Sequence, residues 1–135
     1  MREILFRGKR TDNGEWEYGD LWCNPYGKRV VCIVSPINDQ GTTGGNEVDP
    51  ETVGQYTGLT DKNGRKIFEG DIVNFYNGDG EFSPYEVRWQ DSGFSVLMNG
   101  DHDLFDVLDD FFSRHCEIIG NIYDNPELLE VKQND

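Results

Sequence analysis

Glycine recurs along this chain at the short intervals that separate strands in small β proteins. Sixteen of the 135 residues are glycine, and the runs between them are rich in aromatic and β-branched residues, which favour strands. Residues 15–22 alternate with period two, which places Trp16 and Tyr18 on one face of a strand. Asn-Gly at 13–14 and 63–64 indicates tight turns, because both residues tolerate positive φ. The pattern predicts a mostly β fold.

The predicted strands fall into two groups on either side of a glycine-rich segment. Residues 35–46 have no periodicity and three glycines, as expected of a linker or loop. We therefore predict an N-terminal β-meander with its loop over 1–46 and a second lobe over 47–135, with one continuous domain as the alternative. A short turn of helix is predicted to begin at Asp49, because Pro50 suits a first helical position. The strands are predicted near residues 4–7, 15–22, 29–34, 55–59, 65–68, 72–76, 85–89, 93–97 and 117–123.

Two later segments have helical patterns. In 101–112 the apolar residues Leu104, Phe105, Leu108, Phe111 and Phe112 share one helical face, with Asp101 or Asp103 as the candidate cap. Residues 125–130 combine an asparagine cap, a proline at the first position and acid in the first turn. Two short helices are therefore predicted.

The net charge argues against several classes of partner. The chain has 12 basic and 26 acidic residues, a formal net charge of −14. Binding to nucleic acid or to an anionic membrane requires a basic face, so neither is expected. Since the apolar run at the N-terminus is too short for a signal peptide and no run approaches a membrane span, we expect a soluble, cytoplasmic protein. Residues 1–67 are nearly neutral while 68–135 are strongly acidic, a division that suits either solubility or a basic partner surface.

The cysteine content is small and odd in number. Cys23, Cys32 and Cys116 show no CxxC spacing, whereas a secreted disulfide scaffold has more cysteines and an even count. We therefore predict three small apolar residues in or near the core.

Much of the chain resembles a known family. Residues 47–59, 61–64, Ile67 and 69–73 resemble the signature of the phage-encoded YopX family, and residues 2–7 and 118–129 resemble that family's two ends. The resemblance implies a phage or prophage protein with an N-terminal meander and a C-terminal SH3-like small barrel. It implies no activity. Residues 35–46 and 77–115 match no pattern of the family.

The polar signature residues are the first binding candidates. The signature glycines suit turns, whereas Gln55, Thr57 and Asp61 have no evident role in a turn, although side-chain bonds to the backbone also explain them. The set of binding candidates is Gln55, Tyr56, Thr57, Asp61 and Trp89. No residue is predicted to be catalytic and no cofactor is expected, since no P-loop, GxSxG or dinucleotide fingerprint occurs.

An alternative site is a dense acidic and histidine cluster within 101–116. Carboxylates and imidazoles can hold a divalent ion, and Asp106 with Asp110 would share a helix face. A solvated acidic face explains the same residues. The metal candidates are Asp101, His102, Asp103 and Asp106.

Three functional hypotheses follow. The first is a non-enzymatic β module that binds an unidentified protein partner, forms a homo-oligomer, or does both. The second is a small metal-dependent enzyme that uses the 101–116 cluster. The third is an acidic DNA mimic.

Overall fold

The structure is a computed structural model that describes residues 4–24, 31–35, 45–75, 83–90, 93–98 and 105–129. The prediction of a mostly β fold is confirmed. The strands are β1 (Phe6–Arg10), β2 (Trp16–Asn24), β3 (Val31–Ser35), β4 (Asn46–Thr60), β5 (Lys66–Phe68), β6 (Asp71–Phe75), β7 (Pro84–Gln90), β8 (Gly93–Met98), β9 (Phe105–Val107) and β10 (Cys116–Asn121). Among the described residues, no helix is long and apolar enough to cross a membrane.

The chain divides into two compact units, Met1–Tyr56 and Thr57–Asp135, with the division inside β4. The predicted division between residues 46 and 47, into an N-terminal meander and a second lobe, stays a prediction. Most of the glycine-rich segment on which it rests, residues 36–44, lies outside the described residues.

The first unit is a small antiparallel sheet that closes on itself. β1 pairs with both β2 and β4, and β3 pairs with both β2 and β4. Cys32, Val34 and Val48 form its buried cluster. Gly8 faces this cluster so closely that an added Cβ would lie 2.7 Å from Cγ2 of Val48, so the closure depends on a residue without a side chain.

The predicted helical turn at Asp49 is wrong, because β4 runs through it. Lys9 lies opposite Asp49 and Arg7 opposite Gly54, so β4 has extra residues at this point and forms a bulge. Thr52 holds the bulge: its hydroxyl donates to the carbonyl of Asp49 (2.6 Å) and accepts from the backbone N–H of Lys9 (2.9 Å). The proline therefore marks a bulge in a strand rather than the start of a helix.

Two of the three cysteines are bonded to each other. Cys23 on β2 lies directly opposite Cys32 on β3, and their sulfurs form a disulfide with the Cα atoms 4.1 Å apart. This corrects the prediction of three small apolar residues, which holds for the free, fully buried Cys116. The short separation matches facing residues of a non-hydrogen-bonded antiparallel pair, a proximity that cysteine spacing alone does not reveal.

The second unit is a five-stranded antiparallel sheet in the order β10-β6-β7-β8-β9, together with the hairpin that ends in β5. Its turns follow the sequence prediction: Gly64 and Gly70 have positive φ, and the Asp71 carboxylate accepts from the backbone N–H of Phe68 (2.7 Å). The core is larger than that of the first unit. It contains Ile67, Val73, Val87, Val96, Leu108, Phe112, Cys116 and Ile118.

The predicted helix over 101–112 is wrong in extent. Residues 105–107 are strand β9, paired with β8, and the helix α1 spans Asp110–Arg114. Its cap is Asp109, whose carboxylate accepts from the N–H of Phe112 (2.8 Å), and not Asp101 or Asp103, which lie outside the described residues. Cross-strand pairing with β8 prevails over the helical periodicity, so Asp106 and Asp110 do not share a helix face. The second predicted helix is confirmed as a 3-10 turn over Pro126–Leu129.

Candidate interaction surface

A row of aromatic side chains lies on the outer face of β2. Trp16, Tyr18 and Trp22 have the same parity along the strand, whereas Leu21 has the opposite parity and packs against the buried cluster. Tyr18 is 46% and Trp22 57% exposed. These three residues are called the aromatic row below. The closed sheet of the first unit has little interior, so its large side chains point outward.

The N-terminal end of the aromatic row already holds a cation. The guanidinium carbon of Arg7 lies 4.7 Å from the centre of the Trp16 ring, within the range of a cation–π interaction. Arg7 pairs with Tyr18 across the β1–β2 ladder, and Lys9 pairs with Trp16. This end of the row is therefore the basic end.

The other end of the row combines an aromatic ring with a carboxylate. Asp20 has the same parity as Tyr18 and Trp22, lies between them and is exposed. Trp22 faces Ile33 on β3, and Ile33 in turn faces Glu47 on β4. Among the described residues, Asp20 forms no ion pair.

Asp61, a binding candidate from the sequence, is a buried hub of backbone contacts. One carboxylate oxygen accepts from the N–H groups of Asn63 and Arg65, both at 2.9 Å. The other accepts from the N–H of Ile118 on β10, also at 2.9 Å. The carboxylate thus closes its own hairpin turn and ties that turn to β10.

The other four candidates do not gather around Asp61. Thr57 is buried and its hydroxyl donates to the carbonyl of Ile67 (2.8 Å). Tyr56 is buried and its backbone N–H donates to Leu5 (2.8 Å), while Gln55 is half-buried opposite Phe6. Trp89 is 51% exposed on β7, with its ring 4.8 Å from that of Phe94 in an edge-to-face contact.

The metal alternative lies largely outside the described residues. Asp101, His102 and Asp103 belong to the undescribed part, and Asp106 is exposed on β9. The described ranges contain no group of three or more side chains placed to hold a metal ion. The metal site stays a prediction.

A cleft of about 360 Å³ lies beside the Asp61 turn. Asp110 and Arg114 form an exposed ion pair at 2.9 Å in its wall. Cys116 is a free, buried cysteine in the same unit, and burial, reinforced by the Asp61 and Asp71 carboxylates, raises the pKa of its thiol to about 12. The cleft is lined by Gly58, Leu59, Thr60, Asp61, Lys62, Asp110, Ser113 and Arg114.

These features define a two-unit, mostly β protein in which the side chains of the signature residues Thr57 and Asp61 bind backbone groups. The sequence matches the YopX protein family over residues 5–130, and the chain belongs to that family. A solved structure, protein EF1440 from Enterococcus faecalis, is similar in fold: the TM-score is 0.57 at 23% identity, covering 96% of this chain and 100% of that one. No curated protein matches.

Sequence reasoning identified part of the aromatic row and did not select it as a site. The period-two alternation placed Trp16 and Tyr18 on one face, and the same alternation extends to Asp20 and Trp22. What it could not show is which face of β2 is the outer one, because the first unit closes through pairing of β1 with β4.

Proposed function

We propose that this chain is a non-enzymatic accessory protein, encoded by a phage or prophage, that binds another protein chain through the aromatic row of its first unit. The observation that supports the proposal is the exposure of Tyr18 and Trp22 on one strand face, with Asp20 between them. Tyrosine and tryptophan are enriched in protein interfaces and in the few residues that contribute most of the binding energy.

The positions of the signature residues also favour binding over catalysis. Asp61 and Thr57 are engaged with backbone groups, and a side chain committed to a turn has little capacity left for chemistry. A surface row of rigid aromatic rings needs no reactive group, since it binds by contact area.

The experiment compares matched tryptophan variants. The wild-type protein, Trp22→Ala and Trp89→Ala are immobilised and exposed to a lysate of the host bacterium, and captured proteins are identified by mass spectrometry. We expect at least one protein captured by the wild type and by Trp89→Ala that Trp22→Ala loses. Equal capture by all three variants would contradict the proposal, because both tryptophans are about half exposed and only one lies in the row.

Self-association is the second form of the same proposal. Size-exclusion chromatography with light scattering at high micromolar concentration measures it directly. A dimer that dissociates in Trp22→Ala would identify a second copy as the partner, whereas a strict monomer would leave a different protein as the partner. The genes on either side of the coding sequence test the proposed phage origin.

A further inference from the structure

We infer that the Asp20–Trp22 end of the aromatic row binds an extended, positively charged segment of the partner protein, with one cationic side chain at the Asp20 carboxylate and another over the Trp22 ring. The inference rests on the proposed function and names the chemistry of the partner.

The row itself contains the same interaction. Arg7 lies over Trp16 at 4.7 Å and is 5% exposed, so this face already accommodates one guanidinium against an indole. Trp22 presents a second indole on the same face, more than half exposed. An aromatic face attracts a cation through its quadrupole, and Asp20 adds a full negative charge two residues away.

Charge decides between a cationic and an anionic partner. The basic residues paired with β2 from β1, Arg7 and Lys9, lie opposite Tyr18 and Trp16. Opposite Trp22 lies the apolar Ile33, with Glu47 next along the ladder. Residues 1–67, which include the row, are nearly neutral, so the local carboxylate of Asp20 is what favours a positive segment here. The net charge of −14 for the whole chain opposes nucleic acid.

Spacing adds a geometric condition. Asp20 and Trp22 are two residues apart on a strand, a separation of about 7 Å. In an extended partner, side chains at i and i+2 point to the same side and have the same spacing, whereas those at i and i+1 point to opposite sides. The surface therefore distinguishes alternating cations from adjacent ones.

The test uses two isomeric probe peptides, acetyl-Ser-Arg-Ser-Arg-Ser-amide and acetyl-Ser-Ser-Arg-Arg-Ser-amide, titrated into 15N-labelled full-length protein. The backbone N–H signals of β2 report binding in every variant. The indole N–H signal of Trp22 confirms the site in the proteins that retain Trp22, and that of Trp89 is the internal control in those that retain Trp89. We expect the alternating peptide to bind about threefold more tightly than its isomer, and Asp20→Asn and Trp22→Ala each to weaken it by a similar factor. Binding should weaken further at high salt.

Matched variants distinguish binding at this site from non-specific attraction of a cationic peptide to an acidic protein. Asp106→Asn removes an exposed strand carboxylate from the second unit, and Trp89→Ala removes an exposed tryptophan from the same unit. Both should bind the alternating peptide as the wild type does. Equal affinity for the two isomers, or equal losses in Asp106→Asn and Asp20→Asn, would overturn the inference.

Two further outcomes identify which claim fails. If Trp22→Ala loses a captured protein in the lysate experiment while neither peptide perturbs Trp22, the proposed function stands and the cationic class is wrong. If a ten-residue single-stranded thymidine oligonucleotide shifts the Trp22 signal and the peptides do not, the row is a nucleic-acid surface and the inference is also overturned.

Discussion

The two units bury their side chains on very different scales. In the described part of the first unit the buried cluster consists of Cys32, Val34 and Val48, and one of these is disulfide-bonded. Where the structure describes the second unit, its cluster has eight buried residues, with Phe75, Tyr85 and Phe112 in mutual ring contacts. A small sheet cannot bury enough apolar surface to offset its loss of entropy and benefits from a covalent link. The second unit depends on packing.

This contrast also explains where the aromatic residues lie. In the second unit Phe75 and Tyr85 pack against Phe112 of α1, although Trp89 and Phe111 are exposed. The first unit carries Tyr18 and Trp22 on the outside. Because the Trp22 ring is 57% exposed, it can contact another chain.

The largest effect is expected from the core of the second unit. Phe112 stacks on Phe75 at 4.5 Å and is buried, whereas its neighbour Phe111 is 64% exposed. Phe112→Ala should lower the free energy of unfolding by about 3–5 kcal/mol, and Phe111→Ala by no more than about 0.5 kcal/mol. Chemical denaturation followed by circular dichroism measures both. Similar losses in the two variants would show that packing against Phe75 does not stabilise this unit.

The disulfide should matter next, and only in the first unit. Cys23 and Cys32 are nine residues apart, so loop closure predicts a loss of about 2.5 kcal/mol in Cys23→Ala/Cys32→Ala. Hydrogen exchange resolved by peptide should show faster exchange in β2 and β3 and unchanged exchange in β6 to β8. A reducing agent should destabilise the wild type and leave the double variant unaffected.

Equally faster hydrogen exchange in β6 to β8 and in β2 and β3 would contradict the view that the disulfide stabilises only the first unit. In that case the disulfide would stabilise the molecule as a whole, and the small buried cluster would not be the reason for it. Counting free thiols with Ellman's reagent in the unfolded, unreduced protein verifies the bond itself: one free thiol is expected, that of Cys116.

Local sequence patterns predicted the strands well because the signals for hairpins are themselves local. Gly14 and Gly64 adopt the expected positive φ, and the strands predicted near 85–89 and 93–97 form and pair as β7 and β8. The predictions of local structure fail where pairing between strands that are far apart in the sequence determines the conformation. The Pro50 signal became a bulge because β1 pairs with β4, and the 101–112 periodicity gave way to pairing of β9 with β8.

The candidate sites likewise depend on contacts between residues that are far apart in the sequence, which local patterns do not reveal. Asp61 was selected as a polar residue without a turn role, and its contact with Ile118 spans 57 positions, which no local pattern contains. The disulfide was missed for the same reason, since Cys23 and Cys32 meet only through the register of β2 and β3. Trp22 could have been found by extending the alternation of β2, but its exposure depends on the closure of the first unit.

The buried thiol of the second unit gives a pH-dependent prediction. In the folded protein the pKa of Cys116 is raised to about 12, against about 8.5 in an unfolded chain. Between these values the unfolded state loses a proton that the folded state keeps, so stability is full below about pH 8.5 and falls as the pH rises. We expect the titration of Cys116 to lower the free energy of unfolding by at most about 1.4 kcal/mol for each pH unit.

The measurement compares two slopes. The free energy of unfolding of the wild type and of Cys116→Ala is followed from pH 8 to pH 11, and the variant should decline less steeply. Parallel slopes would mean that the thiol titrates equally in both states and is not held protonated by burial. In the same pH range, iodoacetamide should alkylate Cys116 slowly in the folded protein and rapidly in denaturant.

The smallest effect is expected at the two exposed tryptophans, and it distinguishes the surfaces of the two units. Trp89 packs edge-to-face against Phe94, so Trp89→Ala should cost about 0.5–1.5 kcal/mol. Trp22 is the more exposed of the two, and Trp22→Ala should change the free energy of unfolding by less than about 0.5 kcal/mol. A loss above about 1.5 kcal/mol for Trp22→Ala would make the row a structural element. If Trp22→Ala instead loses binding while its free energy of unfolding stays unchanged, the Trp22 ring contributes to partner binding and not to the stability of the fold.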